Sequence, residues 1–185
     1  ELLSSSKKSI CTSRTFGKMV TKQKDLIGSI AMYVARCAEK LRLQHSYANF
    51  AHIFISSNSF RKDLPQYTCC KIIKFPYPLS DTGEMLIYII PIIKQIFKSG
   101  YLYKKAGVVL TGIVDNTIIQ RNLFENYNIK NKKKLLNKID TINKKMGRDT
   151  VRYAIQGYHK SWILKQQKLS PCYTTRWEDL LSVKL

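Results

Sequence analysis

Acidic residues are what this sequence has least of. Its 185 residues hold 12 Asp and Glu against 32 Lys and Arg, a formal charge of +20. That balance excludes a basic partner and makes a polyanion the default one, nucleic acid first and an anionic membrane surface second. Carboxylates are too scattered to hold two Mg2+ ions, since Glu178 and Asp179 form the only adjacent pair. Long apolar runs are missing too. The longest candidate, Met85 to Phe97, is broken by Pro91, Lys94 and Gln95 and falls short of the ~20 residues of a membrane span. No secretory leader is expected, because the first apolar stretch is only Ile10-Cys11 among basic residues. A first residue of Glu rather than Met is consistent with a fragment or a processed product. Cys11, Cys37, Cys69, Cys70 and Cys172 are odd in number and form no C-x-x-C pair, so they read as reduced intracellular thiols. Cys69 and Cys70 are adjacent on an expected strand and point to opposite faces. Walker-type loops, G-x-G-x-x-G, H-E-x-x-H and G-x-S-x-G are all absent, and His45, His52 and His159 lack ligand-like spacing. With no catalytic set and no metal or cofactor site, the chain reads as a binding module rather than an enzyme.

What is there suffices for a core: 44% of residues are hydrophobic and 11% aromatic. Residues 8–16 suit a strand, and from Lys22 to Leu43 apolar residues recur at helical spacing (Leu26, Ile27, Ile30, Val34, Cys37, Ala38, Leu41). Ala48 to Ser56 alternates, with Ala51, Ile53 and Ile55 on one face and Phe50, His52 and Phe54 on the other. Tyr67–Phe75 reads as a third strand ended by Pro76 and Pro78. A second helix is expected over Asp81 to Ser99, capped by Asp81, kinked at Pro91 and closed by Gly100. Lys105–Val114 is the fourth strand. The order β-α-β-β-α-β predicts an α+β fold, a four-stranded antiparallel sheet with two helices on one face, over residues 1–116. Residues 117–130 read as a linker. Residues 131–185 form a small extension, helical or irregular, whose helix Lys132 to Met146 carries an apolar stripe of Leu135, Ile139, Ile142 and Met146. Its remainder, with Tyr153, Tyr158, Trp162, Tyr173 and Trp177, is too aromatic for an inert tail.

Two sets of residues carry binding chemistry. Ser13, Arg14 and Thr15 on the first strand stand among Lys18, Lys22 and Lys24, with Lys71 and Lys74 on the third strand and Lys104 and Lys105 at the fourth. Short hydroxyl side chains let phosphate approach the backbone while the cations supply charge. The alternative is an ordinary solvated basic face. Gln120, Leu123 and Phe124, in the run Gln120-Arg121-Asn122-Leu123-Phe124, have the form of a sliding-clamp-binding peptide, an amide anchor followed by two apolar plugs. The alternative there is a linker whose Leu-Phe packs on its own domain.

Beyond those two sets, four segments in sequence order carry a resemblance: CTSRTFGKMVT (Cys11–Thr21), SGYLYKKAGVVL (Ser99–Leu110), QRNLF (Gln120–Phe124) and LSPCYTTRWEDL (Leu169–Leu180). The chain resembles the C-terminal region, little-finger domain plus C-terminal extension, of the UmuC-type error-prone DNA polymerases of the Y family, over nearly its whole length. The resemblance implies that Ser13, Arg14, Thr15 and the neighbouring lysines grip damaged or primer-template DNA, and that Gln120, Leu123 and Phe124 engage the bacterial sliding clamp. It implies that the extension contacts UmuD′ or RecA. It also implies a cytoplasmic, nucleoid-associated role in the SOS response and translesion mutagenesis, with no membrane. The palm carboxylates, with their Mg2+ and dNTP, would lie upstream and outside this chain, which therefore would not polymerise alone. An RNA-recognition module shares the β-α-β-β-α-β order, and a protein-protein adaptor working through the aromatic extension is the third reading.

Overall fold

In a computed structural model, the chain is described over residues 6–115, 129–158, 160–164 and 169–181. The elements run β1 (Ile10–Val20), α1 (Gln23–Leu43), β2 (Ser46–Ser57), β3 (Thr68–Leu79), α2 (Thr82–Ile96), β4 (Tyr103–Asp115) and α3 (Ile129–Met146), followed by short helical turns at Ala154–Gln156 and Trp177–Asp179. The sheet order is β1-β4-β2-β3, antiparallel throughout. Strands β1 and β2 therefore run the same way with β4 between them, which needs a long crossover that α1 supplies. Helix α2 does the same for β3 and β4 across β2. The α+β expectation holds, with a third helix added by the extension.

Burial explains why the helices lie where they do. Helix α1 buries Leu26, Ile30, Val34, Cys37 and Leu41 completely, and α2 does so with Met85, Ile89 and Ile93. They cover Ala51, Ile53 and Ile55 of β2 and Ala106, Val108 and Leu110 of β4. Each such aliphatic side chain contributes about 1.5–3 kcal/mol on leaving water. Asp81 caps α2 as expected, its Oδ1 accepting from the N–H groups of Gly83 at 2.7 Å and Glu84 at 3.4 Å.

Three expectations are corrected. Strand β3 does not stop at Pro76 but runs to Leu79. It is an edge strand, and four residues, Phe75 to Pro78, bulge opposite the single residue Asn49, so neither proline removes a ladder bond. Helix α2 passes through Pro91 and ends at Ile96 rather than Ser99. Pro91 and Ile87, whose carbonyl loses its donor, both face solvent. Two tyrosines then replace Gly100 as the closing device: the Tyr67 hydroxyl donates to the Ile96 carbonyl at 3.0 Å, and the Tyr103 hydroxyl accepts from the Lys98 N–H at 2.7 Å. In α3 the buried residue is Leu136, while Leu135 and Met146 are exposed. The inward face is Leu136, Ile139, Asp140 and Asn143, because α3 docks on α1 through polar contacts as well as apolar ones.

Those contacts are ion pairs. Arg42 of α1 grips Asp140 with two hydrogen bonds of 2.6 and 2.7 Å and donates to the Ser80 carbonyl at 2.9 Å. Lys132 reaches Glu84 of α2 at 2.7 Å, and Asp149 lies between Lys160 at 3.0 Å and Arg36 at 3.4 Å. The extension then returns to the sheet. Trp162 is buried in the core, edge-on to Phe16 and Tyr33 with ring centroids 6.0 and 6.1 Å away. Its carbonyl accepts from the Gly17 N–H at 3.1 Å. At this point β1 has lost register: Phe16 to Met19 face only Lys104. A Cβ on Gly17 would sit 2.5 Å from the Ile163 carbonyl oxygen, so the glycine permits this docking. Farther on, Asp179 Oδ2 accepts from the Cys172 N–H at 2.7 Å and Trp177 stands in solvent.

Replacing Trp162 by Ala is expected to cost about 3–5 kcal/mol in urea unfolding, and Gly17→Ala to release residues 160–164 to protease while the sheet stays folded. Alkaline pH gives a second check. Burial raises the Cys37 thiol from its usual 9.0 to about 11. The unfolded chain thus loses this proton near pH 9 while the fold keeps it to about pH 11. Stability is full below pH 9 and falls by about 1.4 kcal/mol per pH unit between those limits. Urea midpoints from pH 8 to 11 measure the slope, which Cys37→Ala should flatten. Burial also raises the Tyr33 phenol, which acts in the same direction.

Candidate nucleic-acid interface

Helices cover one face of the sheet, and register identifies what stands on the other. Directly paired residues share a face. Phe54 pairs with Gly107 and Cys70, and Gly107 pairs with Ser13. His52 pairs with Val109 and Ile72, Phe50 with Thr111 and Lys74, and Thr15 with Lys105, which also pairs with Ser56. These rows form the open face. Its relief is low because glycines sit beneath the two phenyl rings. A Cβ on Gly107 would lie 2.3 Å from the Phe54 ring and 2.5 Å from Ser13 Cβ, and one on Gly112 would lie 2.7 Å from the Phe50 ring. Gly112 also has φ +62, a left-handed conformation that favours glycine. His52 Nε2 and Thr111 Oγ1, 2.9 Å apart, tie β2 to β4 across this surface. Lys105 Nζ stands 5.8 Å over the Phe54 ring.

Charge is segregated between the two sides. The strands carry Arg14, Lys18, Lys71, Lys74, Lys104 and Lys105 against one acid, Asp115 at the end of β4. On the helical side, Glu84 of α2 pairs with Lys132 of the extension, while Asp140 and Asp149 of the extension pair with Arg42 and Arg36 of α1. These three acids thus neutralise cations away from the sheet.

The structure sorts the residues singled out from the sequence. Ser13, Thr15, Lys74 and Lys105 share the open face by register. Arg14 pairs with Ala106 and Lys71 with Ile53, both on the helix-facing side, so these two cations lie on the flanks of the edge strands. Arg14 is near enough to Tyr33 to oppose part of the upward shift of its phenol. Lys104 donates from Nζ to the Phe16 carbonyl at 2.9 Å, which braces the β1 irregularity. Lys18, Lys22 and Lys24 are exposed around the junction of β1 and α1. That junction is the end of the sheet at which Val20, Tyr103 and Ser57 align. Sequence reasoning missed Gly107 and Gly112 beneath the rings, and also Arg61 and Lys62, which the β2–β3 connection brings to this same end. The available signals were glycines inside a strand and a basic dipeptide in a turn. Gln120, Leu123 and Phe124 lie outside the described residues.

Among the described residues no group of three or more His, Cys, Asp or Glu is placed to hold a metal ion, and no helix is long and apolar enough to cross a membrane. A cavity of about 40 Å3, roughly one water, lies between α1 and α3 on the helical side, far from the open face.

Residues 7–123 match the impB/mucB/samB family C-terminal domain, and residues 133–183 match a domain of unknown function (DUF4113). The chain is 35% identical over 179 residues to Protein UmuC of Salmonella typhimurium, across 96% of this chain and 42% of that protein. It is 31% identical over 180 residues to Protein ImpB of Salmonella typhimurium, across 97% and 42%. It thus spans about two-fifths of the length of these curated relatives. Among solved structures, an insertion ternary complex of Dbh DNA polymerase overlaps 58% of this chain and 29% of that one, with 11% identity and a TM-score of 0.47. A complex of beta-clamp processivity factor and the little finger domain of PolIV overlaps 64% and 99%, with 10% identity and a TM-score of 0.40.

Gly107→Ala is expected to lift Phe54 off β4 and to destabilise the sheet by about 1–3 kcal/mol in urea unfolding. A second change, Phe54→Leu, should recover part of that loss by making room for the new methyl group.

Proposed function

This chain belongs to the impB/mucB/samB family through its C-terminal domain, and from that membership we propose that it holds duplex DNA for an error-prone, translesion DNA polymerase. The observation that carries this reading is the open sheet face, low in relief, edged by hydroxyls on β1 and bearing Lys74 and Lys105 with no acid opposite them. A duplex backbone offers a phosphate every few ångströms, and a flat basic face meets it without reading bases. Ser13 and Thr15 would approach phosphates closely, Lys74 and Lys105 would neutralise them, and Arg14, Lys18, Lys22, Lys24, Lys71 and Lys104 would extend the field around the edges. The polymerisation site, with its Mg2+ and nucleotide, would belong to the rest of the polypeptide, and this portion would be non-catalytic.

Recruitment is the second part of the proposal. Gln120, Leu123 and Phe124 follow the last strand in the sequence, and a sliding clamp would be held by them. The extension, with Trp177 and Tyr173 exposed, would serve contacts with UmuD′ or RecA near the nucleoid.

Anisotropy titration of a labelled duplex across a salt series tests the grip. The logarithm of affinity should fall linearly with that of salt, at a slope set by about 4–8 neutralised phosphates, and Lys74→Ala/Lys105→Ala should lower the slope by about two. Equal affinity at low and high salt, or tighter binding of single-stranded RNA, would overturn it. Calorimetric titration into the bacterial clamp, beside a Leu123→Ala/Phe124→Ala variant, tests recruitment. Micromolar binding that the variant loses is the expected result.

A further inference from the structure

The connection between β2 and β3 is organised far more tightly than its exposure requires. Gln66 sits at its centre. Its Nε2 donates towards the carbonyls of Arg61 at 2.7 Å and of Asn58 and Leu64 at 3.0 Å, while its Oε1 accepts from the Ser57 hydroxyl at 2.8 Å. Asn58 Oδ1 accepts from the Phe60 N–H at 3.2 Å, and the Arg61 N–H returns to the Asn58 carbonyl at 3.0 Å. Ser57 and Tyr67 close the base, the Ser57 N–H donating to the Tyr67 carbonyl and the Tyr67 N–H to Ser57 Oγ, both at 2.9 Å.

All this wiring leaves Phe60 in water. At 93% exposure it is the most exposed large hydrophobic side chain among the described residues. Fixing a loop costs conformational entropy, normally offset by burying the loop's apolar side chain. Here the side chain is held outward, the arrangement expected when a ligand supplies the missing contact. Lys62 stands exposed beside it, and Arg61 is turned toward Asp63 at 2.6 Å.

Position selects the ligand. The connection leaves the sheet where Ser56 pairs with Lys105, Lys105 with Thr15, and Ser57 with Tyr103. Lys18 and Lys104 belong to the same end. The tip therefore continues the surface assigned above to DNA. A phenyl ring enters a duplex only by unstacking base pairs, whereas an unpaired base offers its face freely. We propose that Phe60 is a stacking contact for an unpaired base in the single strand adjoining the duplex held on the sheet, with Lys62 on the neighbouring phosphate and Gln66 positioning the loop. This rests on the DNA-gripping function and adds to it a preference for a duplex that continues into single strand.

The test compares a blunt duplex with the same duplex carrying an unpaired overhang of about eight nucleotides, titrated with the 185-residue chain. The overhang should tighten binding about ten-fold, the scale of one base stacked on an aromatic ring. Phe60→Ala should abolish that advantage and leave blunt-duplex affinity unchanged. Phe60→Trp should keep it, and in a Trp177→Phe background its fluorescence should be quenched by the overhang substrate and not by the blunt one. Lys74→Ala/Lys105→Ala should weaken both substrates alike. An overhang advantage that survives Phe60→Ala, or none in the unaltered chain, would overturn the stacking role. If the unaltered chain binds neither substrate, or the lysine pair has no effect on either, the DNA-gripping reading itself fails.

Discussion

A four-stranded sheet has two faces, and this chain supplies enough apolar surface to cover one of them. Helices α1 and α2 bring Leu26, Ile30, Val34, Met85, Ile89 and Ile93 onto the same side, and the alternate residues of β2 and β4 meet them there. The other face carries hydroxyls, lysines, two flattened phenyl rings, His52 and a few apolar residues, and every functional assignment made for the sheet follows from its being uncovered among the described residues. The described residues of the extension fold back over the helices and reach the sheet at one end, where β1 has already lost its pairing register.

Scarcity of acid shapes the rest. With so few carboxylates in the chain, where they stand decides where the positive field survives. Arg42 and Asp140 form a two-bonded pair whose side chains are 12% and 19% exposed. Such a pair is not strongly stabilising in itself, but removing one partner strands the other at a cost of about 3–5 kcal/mol. It therefore fixes where α3 sits. By contrast the Arg61–Asp63 pair is mostly exposed, at 52% and 59%, and contributes little stability. Glu84 of α2, Asp140 of α3 and Asp149 in the turn after α3 join the extension to the helices, and none of the three lies on the strands that carry the lysines of the sheet.

Trp162 joins these two themes. It brings the extension into the same core that orders the sheet, meeting Phe16 of β1 and Tyr33 of α1. Disturbance of the extension therefore has a direct route to the β1 end of the sheet, through the Gly17 N–H that bonds the Trp162 carbonyl. The two tryptophans of the extension are in opposite environments: Trp162 completes the core and Trp177 remains open to solvent.

Order and kind of the elements were legible in the sequence, because periodicity is local. The α1 stripe, the two faces of β2 and the Asp81 cap all appear as spacing within one segment. The neighbour of each strand was not legible. That β3 is an edge strand, which lets Pro76 and Pro78 remain inside it, depends on pairings between residues far apart in the chain. The same nonlocal register separated Lys71 from Lys74 and placed Gly107 beneath Phe54. In α3 the expected stripe was displaced from Leu135 to Leu136 because Arg42 and Glu84, on other helices, chose the docking face. Trp162 read as one aromatic among several in the extension, since nothing nearby in sequence says that a pocket between Phe16 and Tyr33 awaits it. The sequence by itself determined which segments are helix or strand and the overall positive charge. Only the tertiary structure decided which cations share a face and which side chains close the core, because both depend on residues brought together across the fold.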